Sequence, residues 1–169
     1  MLLTGPRPDV VRVGLAVPLS GPLAMTAPSA LDLAGLAAEE VNAAGGVAGR
    51  PVELVGVDSG RAPEVVAAEA AALHRAGAFE LLVGFHTSDV HRAVERALPP
   101  GARYVFTPPH EGGARRPGVL RIGQSPLEQH SAALGGSRSA TAGPPRAAPG
   151  VTVRSAPPPA AVVRPRAEG

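Results

Sequence analysis

Two apolar runs placed either side of one small-residue helix constrain this chain more than any other feature. Val11–Val17 (VRVGLAV) is apolar apart from Arg12 and runs into Pro18-Leu19-Ser20-Gly21-Pro22; Asn42–Val55 (NAAGGVAGRPVELV) then closes the helix and opens a second run. A run without polar alternation reads as a strand covered on both faces. Between the runs, Leu33, Leu36, Ala37, Val41 and Ala44 recur at helical spacing, a stripe expected to face a core, and Gly45-Gly46 supply the left-handed stop. Strand, helix and strand in that order make a parallel, right-handed β-α-β unit. The polar Ser-Gly-Pro loop falls at the carboxyl end of its first strand, where such sheets hold ligands.

The pattern continues. Val52–Asp58 is the second strand, Ala62–Ala76 a helix with Pro63 in its first turn and Gly77 after it, and Leu81–Val83 a short third strand. From Ser88, the residues Val90, Ala93, Val94, Ala97 and Leu98 form one apolar face, with His91, Arg92, Glu95 and Arg96 opposite. Pro99-Pro100-Gly101 ends this helix, Tyr104–Phe106 is a fourth strand, Val119–Ile122 an edge-strand candidate and Pro126–Leu134 the start of a further helix. Four strands alternating with three helices predict an α/β fold, a doubly wound open parallel sheet in the order 2-1-3-4, Rossmann-like, over residues 11–125.

At Gly135 the composition changes. Residues 135–169 hold seven Pro, eight Ala, five Gly and five Arg, with no Leu, Ile or aromatic, too little apolar surface to offset ordering entropy. The expected organisation is a lobe over residues 1–134 and a disordered Pro/Ala/Arg-rich tail over 135–169. Two origins for the tail stay open, a flexible extension and an out-of-frame translation of GC-rich DNA that replaces a second lobe.

Several classes of function fall away. Residues 1–134 carry 11 Arg against 13 Asp and Glu, net −2, whereas 135–169 carry five Arg against one Glu, net +4. The basic residues of the tail are dispersed and have no aromatic beside them for base stacking, so no nucleic-acid partner is expected. All 16 basic residues are Arg, which removes a P-loop lysine and a Schiff base; there is no Cys, no G-x-S-x-G, no G-x-G-x-x-G after the first strand and no H-E-x-x-H. No enzyme activity, cofactor or metal is expected. No segment approaches the ~18 apolar residues of a membrane span, and MLLTGPRPDVVRVG lacks the basic and apolar regions of a signal peptide. Either the protein stays in the cytoplasm or its start lies upstream of Met1.

The ligand site of such a sheet lies beyond the strands' carboxyl ends, in the loops holding Ser20-Gly21-Pro22, Asp58-Ser59, Phe85–Asp89 and Thr107–Gly112. His86-Thr87-Ser88 opens the third helix, whose free N–H groups and dipole favour a carboxylate or carbonyl oxygen; Ser88 also suits a plain N-cap. Asp58 reads equally as an acid at the site and as a turn residue.

PLSGP and NAAGG-x-x-GRPVEL at this spacing, with VGFHTSDVHRAV and YVFTPPHEGG beyond, resemble the first lobe of a type I periplasmic binding protein, of the branched-chain amino acid and amide-binding branch of ABC-transporter substrate-binding proteins. The resemblance covers Val11–Leu134. It implies binding of an amino acid or a short amide by Ser20, His86, Thr87, Ser88, Thr107, Pro108, His110 and Glu111, with His86 and His110 standing where the family has aromatics. It implies an extracytoplasmic setting and an ABC permease as partner; the alternative is a cytoplasmic amide sensor acting on a regulator, and the minor one a small α/β enzyme. With one lobe alone, Phe85, Phe106, Pro108 and Pro109 are expected to form an exposed apolar rim that drives self-association.

Overall fold

The computed structural model describes residues 7–126 and 129–131. Its elements are β1 (Val11–Val17), α1 (Ala27–Ala43) entered through a 3-10 turn at Ala24–Thr26, β2 (Val52–Asp58), α2 (Pro63–Arg75), β3 (Leu81–Gly84), α3 (Ser88–Ala97), β4 (Arg103–Phe106) and β5 (Val119–Arg121). The five strands form one sheet in the order β2-β1-β3-β4-β5. Every pair is parallel. The expected order 2-1-3-4 is present, and the edge-strand candidate joins it beyond β4. The helix expected over Pro126–Leu134 is seen only as helical residues at 126 and 129–131; its remainder and the 135–169 tail lie outside the described residues.

The core lies on one side of the sheet. Ala16, Leu82, Tyr104 and Phe106 pack with Val66, Ala67 and Ala70 of α2 and Val90, Ala93 and Val94 of α3, while Phe79, just before β3, fills the space over Gly14. With so few aromatics, the three rings of Phe79, Tyr104 and Phe106 are placed centrally and alanines let the helices approach closely. The opposite side is different. Of the 17 residues of α1, only Ala27 is buried, and Leu33 and Leu36 are 67% and 53% exposed. The expected inward stripe therefore flanks an open apolar groove lined by Leu15, Val17, Val83 and Ala34. Periodicity identifies which face of a helix is apolar; whether anything covers that face depends on neighbours. Among the described residues, no helix is long and apolar enough to cross a membrane.

Candidate functional site

At the carboxyl end of β2, Asp58 projects toward the neighbouring loop. Its Oδ1 accepts the N–H groups of Leu19 (2.9 Å), Ser20 (3.1 Å) and Gly60 (2.9 Å), fastening the Pro18–Pro22 loop to the start of the β2–α2 connection. Desolvation works to raise the Asp58 pKa, but hydrogen bonds from Gly60, Ser20 and Leu19 outweigh it and hold the carboxyl below its usual range. Gly60 is required for this closure, because a Cβ there would stand 1.8 Å from the Ser20 carbonyl oxygen. Asp58 is thus a structural clasp. Replacing it with Ala is expected to lower stability by about 1–3 kcal/mol, measured as a lower urea midpoint. The stabilisation is present above the unfolded pKa near 3.8 and vanishes as pH falls through the folded value, so wild type and Asp58→Ala should converge in strong acid.

The clasped loop forms one wall of a cavity of about 360 Å³ lined by Pro18, Ser20, Ser59, His86, Thr87 and Asp89 among others. Ser59 is 4% exposed, and its Oγ has no partner among the described residues. His86 folds back over β3, where a Cβ on Gly84 would lie 2.4 Å from its Nε2. Ala16, Gly84 and Phe106 share one row across the sheet, and the absent side chain of Gly84 leaves the slot the imidazole occupies. There His86 Nε2 is 3.1 Å from the Tyr104 hydroxyl, itself 3.0 Å from His91 Nδ1. Burial lowers the pKa of His86, and it lowers that of His91 to about 4, against the opposing pull of Glu95. Burial also pushes the Tyr104 phenol far up, so it stays protonated.

A second, smaller cavity of about 170 Å³ lies on the far side of α3, lined by Ser88, His91, Arg92, Glu95, His110, Glu111 and Arg121 among others. Glu95 organises it. Its carboxylate receives the Arg116 backbone N–H at 2.9 Å, and its Oε2 lies 3.4 Å from Arg121 Nη2 and 3.5 Å from His91 Nε2. Glu111 pairs with Arg92 at 2.6 Å, and His110 Nδ1 accepts the Gly112 N–H. Among the described residues, no group of three or more His, Cys, Asp or Glu could hold a metal ion.

The eight residues singled out from sequence all lie toward the carboxyl edge but not in one depression. Ser20, His86 and Thr87 line the larger cavity and Ser88, His110 and Glu111 the smaller; Thr107 borders the apolar groove, its hydroxyl donating to Gly84 O at 3.0 Å. Pro108 packs its carbonyl against Gly123. Two expectations are corrected. Phe106 belongs to no exposed rim: it is 0% exposed and stacks on His91 at 4.1 Å, whereas Phe85 is 42% exposed. His91 and Glu95 are not on a solvated face either, because β4 and β5 close over that side of α3 and their side chains are 5% and 11% exposed. Sequence reading missed both, since a polar residue at helical spacing reveals nothing about a strand that arrives later in the chain.

A family model described as periplasmic binding protein matches residues 10–148, most of the chain and all five strands. The chain belongs to the periplasmic binding protein family. Among solved structures, this periplasmic binding protein is similar to one from Rhodospirillum rubrum named for branched-chain amino acid ABC transport: 23% identity and a TM-score of 0.60, covering 76% of this chain and 39% of that one. That likeness establishes the shared fold. It is also similar to the branched-chain amino acid transporter substrate-binding protein of Streptococcus pneumoniae, solved with isoleucine, at 27% identity and a TM-score of 0.49, over 57% of this chain and 28% of that one. A Silicibacter pomeroyi protein of like name matches at 27% identity and a TM-score of 0.49, over 58% of this chain and 25% of that one. The chain thus spans between a quarter and two fifths of the length of these structures. No curated protein matches at a significant level.

Proposed function

We propose that the protein binds a small polar solute, an amino acid or a short amide, in the manner of an ABC-transporter substrate-binding protein, and performs no covalent chemistry on it. The observation that carries this reading is the family match over residues 10–148, which spans the sheet and its carboxyl-edge loops. In this reading residues 1–134 act as one lobe, outside the cytoplasm, and Ser20, His86, Thr87, Ser88, Thr107, Pro108, His110 and Glu111 form its share of the site. The positive dipole end of α3 lies beside the cavities and suits a carbonyl or carboxylate oxygen, with the Asp89 carboxylate already accepting the Val90 N–H there at 2.9 Å.

One lobe supplies about half of the contacts of a closed site. A solute held at micromolar affinity by two lobes, worth about 8 kcal/mol, would retain about 4 kcal/mol on one, a dissociation constant of about 1 mM. Titration of the 15N-labelled protein with leucine, acetamide and urea is expected to shift the Ser20, Thr87, Ser88 and His110 amides saturably in that range. Saturable shifts confined to the apolar groove beside α1, or none, would overturn the assignment of the site.

A further inference from the structure

Three hydrogen bonds run in series through the core, and their direction is fixed from one end. The Thr87 carbonyl can only accept, so His86 Nδ1, 3.2 Å away, carries the proton of that ring. Burial holds both imidazoles neutral at pH 7. His86 Nε2 is then a lone pair that accepts the Tyr104 O–H at 3.1 Å, and the Tyr104 oxygen in turn accepts His91 Nδ1–H at 3.0 Å. The series ends on His91 Nε2, a lone pair with no hydrogen-bond partner among the described residues.

That lone pair lies 3.5 Å from Glu95 Oε2, and two acceptors cannot bond one another. Arg121 Nη2 reaches the same Oε2 at 3.4 Å, while the Arg121 Nε–H, also buried, has no partner among the described residues. Ser88, His91, Arg92 and Glu95 stand at i, i+3, i+4 and i+7 on one face of α3, and His91, Glu95 and Arg121 all line the cavity of about 170 Å³. Two acceptors and one donor are thus gathered around one carboxylate oxygen, on His91 and Arg121 side chains only 5% and 9% exposed. Buried polar atoms without partners are costly, so a ligand that satisfies all three is favoured beyond its contact area.

The charges decide what kind of ligand that is. Glu95 and Arg121 offset one another, as Arg92 and Glu111 do at the rim. An anion would meet the lone pair and the carboxylate, and a cation would meet the guanidinium. A neutral group that carries N–H donors beside an oxygen acceptor meets neither conflict. We propose that the smaller cavity is a carboxamide subsite, in which a primary amide or a urea donates N–H to His91 Nε2 and Glu95 Oε2 and accepts the Arg121 Nε–H on its carbonyl oxygen. This rests on the solute-binding reading and narrows it to neutral amides, adding His91, Glu95 and Arg121 to Ser88, His110 and Glu111.

The test is 15N–1H NMR of the full chain at pH 7, reading the His91 ring nitrogens and the Arg121 Nε–H. In solute-free protein His91 is expected to be protonated on Nδ1. Acetamide at millimolar concentration should shift His91 Nε2 upfield, as a lone pair does on accepting a donor, and should move the Arg121 Nε–H along the same saturation curve. Acetone has the size and the carbonyl of acetamide but no N–H, and should bind at least about tenfold more weakly. Acetate should leave both signals in place. His91 protonated on Nε2 in the free protein, an equal response to acetamide and acetone, or acetamide shifts confined to Ser20 and Thr87 of the larger cavity would each overturn the subsite. The last of these leaves solute binding standing, whereas no saturable shift anywhere removes both.

Discussion

Acidification from neutral pH to about 4 is expected to cost this fold roughly 3 kcal/mol at His91 alone, before any carboxylate is fully protonated. The reference pKa of 6.5 falls to about 4 in the folded protein because burial penalises the imidazolium, and each unit is worth about 1.4 kcal/mol. The sign follows from proton binding. Above pH 6.5 the imidazole is neutral in both states and contributes no pH dependence; between 6.5 and 4 the unfolded chain binds a proton that the folded one refuses, so stability falls as pH falls. Below pH 4 this loss levels off. His86, lowered in the same direction, steepens the decline, and the carboxyls of Asp58 and Asp89, both held below 3.8, take over at the acid end. Urea denaturation midpoints measured across that window should fall steeply for wild type and less steeply for His91→Gln. A flat profile would mean that His91 is solvated in the folded state.

Phe106→Ala is expected to remove about 3–5 kcal/mol, enough to unfold much of a domain whose whole stability is about 5–15 kcal/mol. The ring is 0% exposed, stacks on His91 at 4.1 Å and lies 5.3 Å from His86, so its loss leaves a cavity and also loosens the packing of both imidazoles. Phe85, its neighbour in the sequence pattern of the carboxyl edge, is 42% exposed, and Phe85→Ser should change stability by under about 1 kcal/mol. Thermal melts of the two variants side by side decide the matter. Equal losses would place both rings in the same environment, contrary to the structure.

The strands were legible because their signals are local. Val11–Val17 and Val52–Asp58 stand in the structure with the limits their apolar runs suggest, and Pro63, Gly77 and Pro99 punctuate the helices where the chain's stereochemistry requires it. The site was legible only as an edge. Which loops gather there follows from the alternation of strands and helices, but how the loops fold against one another does not. Asp58 could be read as an acid or a turn residue until its carboxylate was seen to hold three N–H groups. His86, His91 and Tyr104 lie on three elements, and nothing in their spacing signals that Gly84 vacates the slot that lets two of them meet on one hydroxyl. Periodicity failed at α1 and α3 for opposite reasons: a stripe with too little to cover it, and a polar side with strands closing over it.

The two sides of the sheet also divide the molecule kinetically. The side holding α2, α3, Phe79, Tyr104 and Phe106 is packed and interlocked, so its amides open only when the whole domain does. Helix α1 is long and buries only Ala27, and its last turn is tied to β2 by the Asn42 side chain, which bonds the Val52 carbonyl and N–H. Most helical stability in a protein comes from packing of the apolar face, and that face of α1 is largely uncovered. Its amides are therefore expected to exchange by local opening faster than those of the sheet, and β2, the strand it delivers to the edge, keeps its place through its pairing with β1 and through Asp58. Folding would start from the α2–β3–α3–β4 side and add α1 last, making the first helix in the chain the last to become permanent.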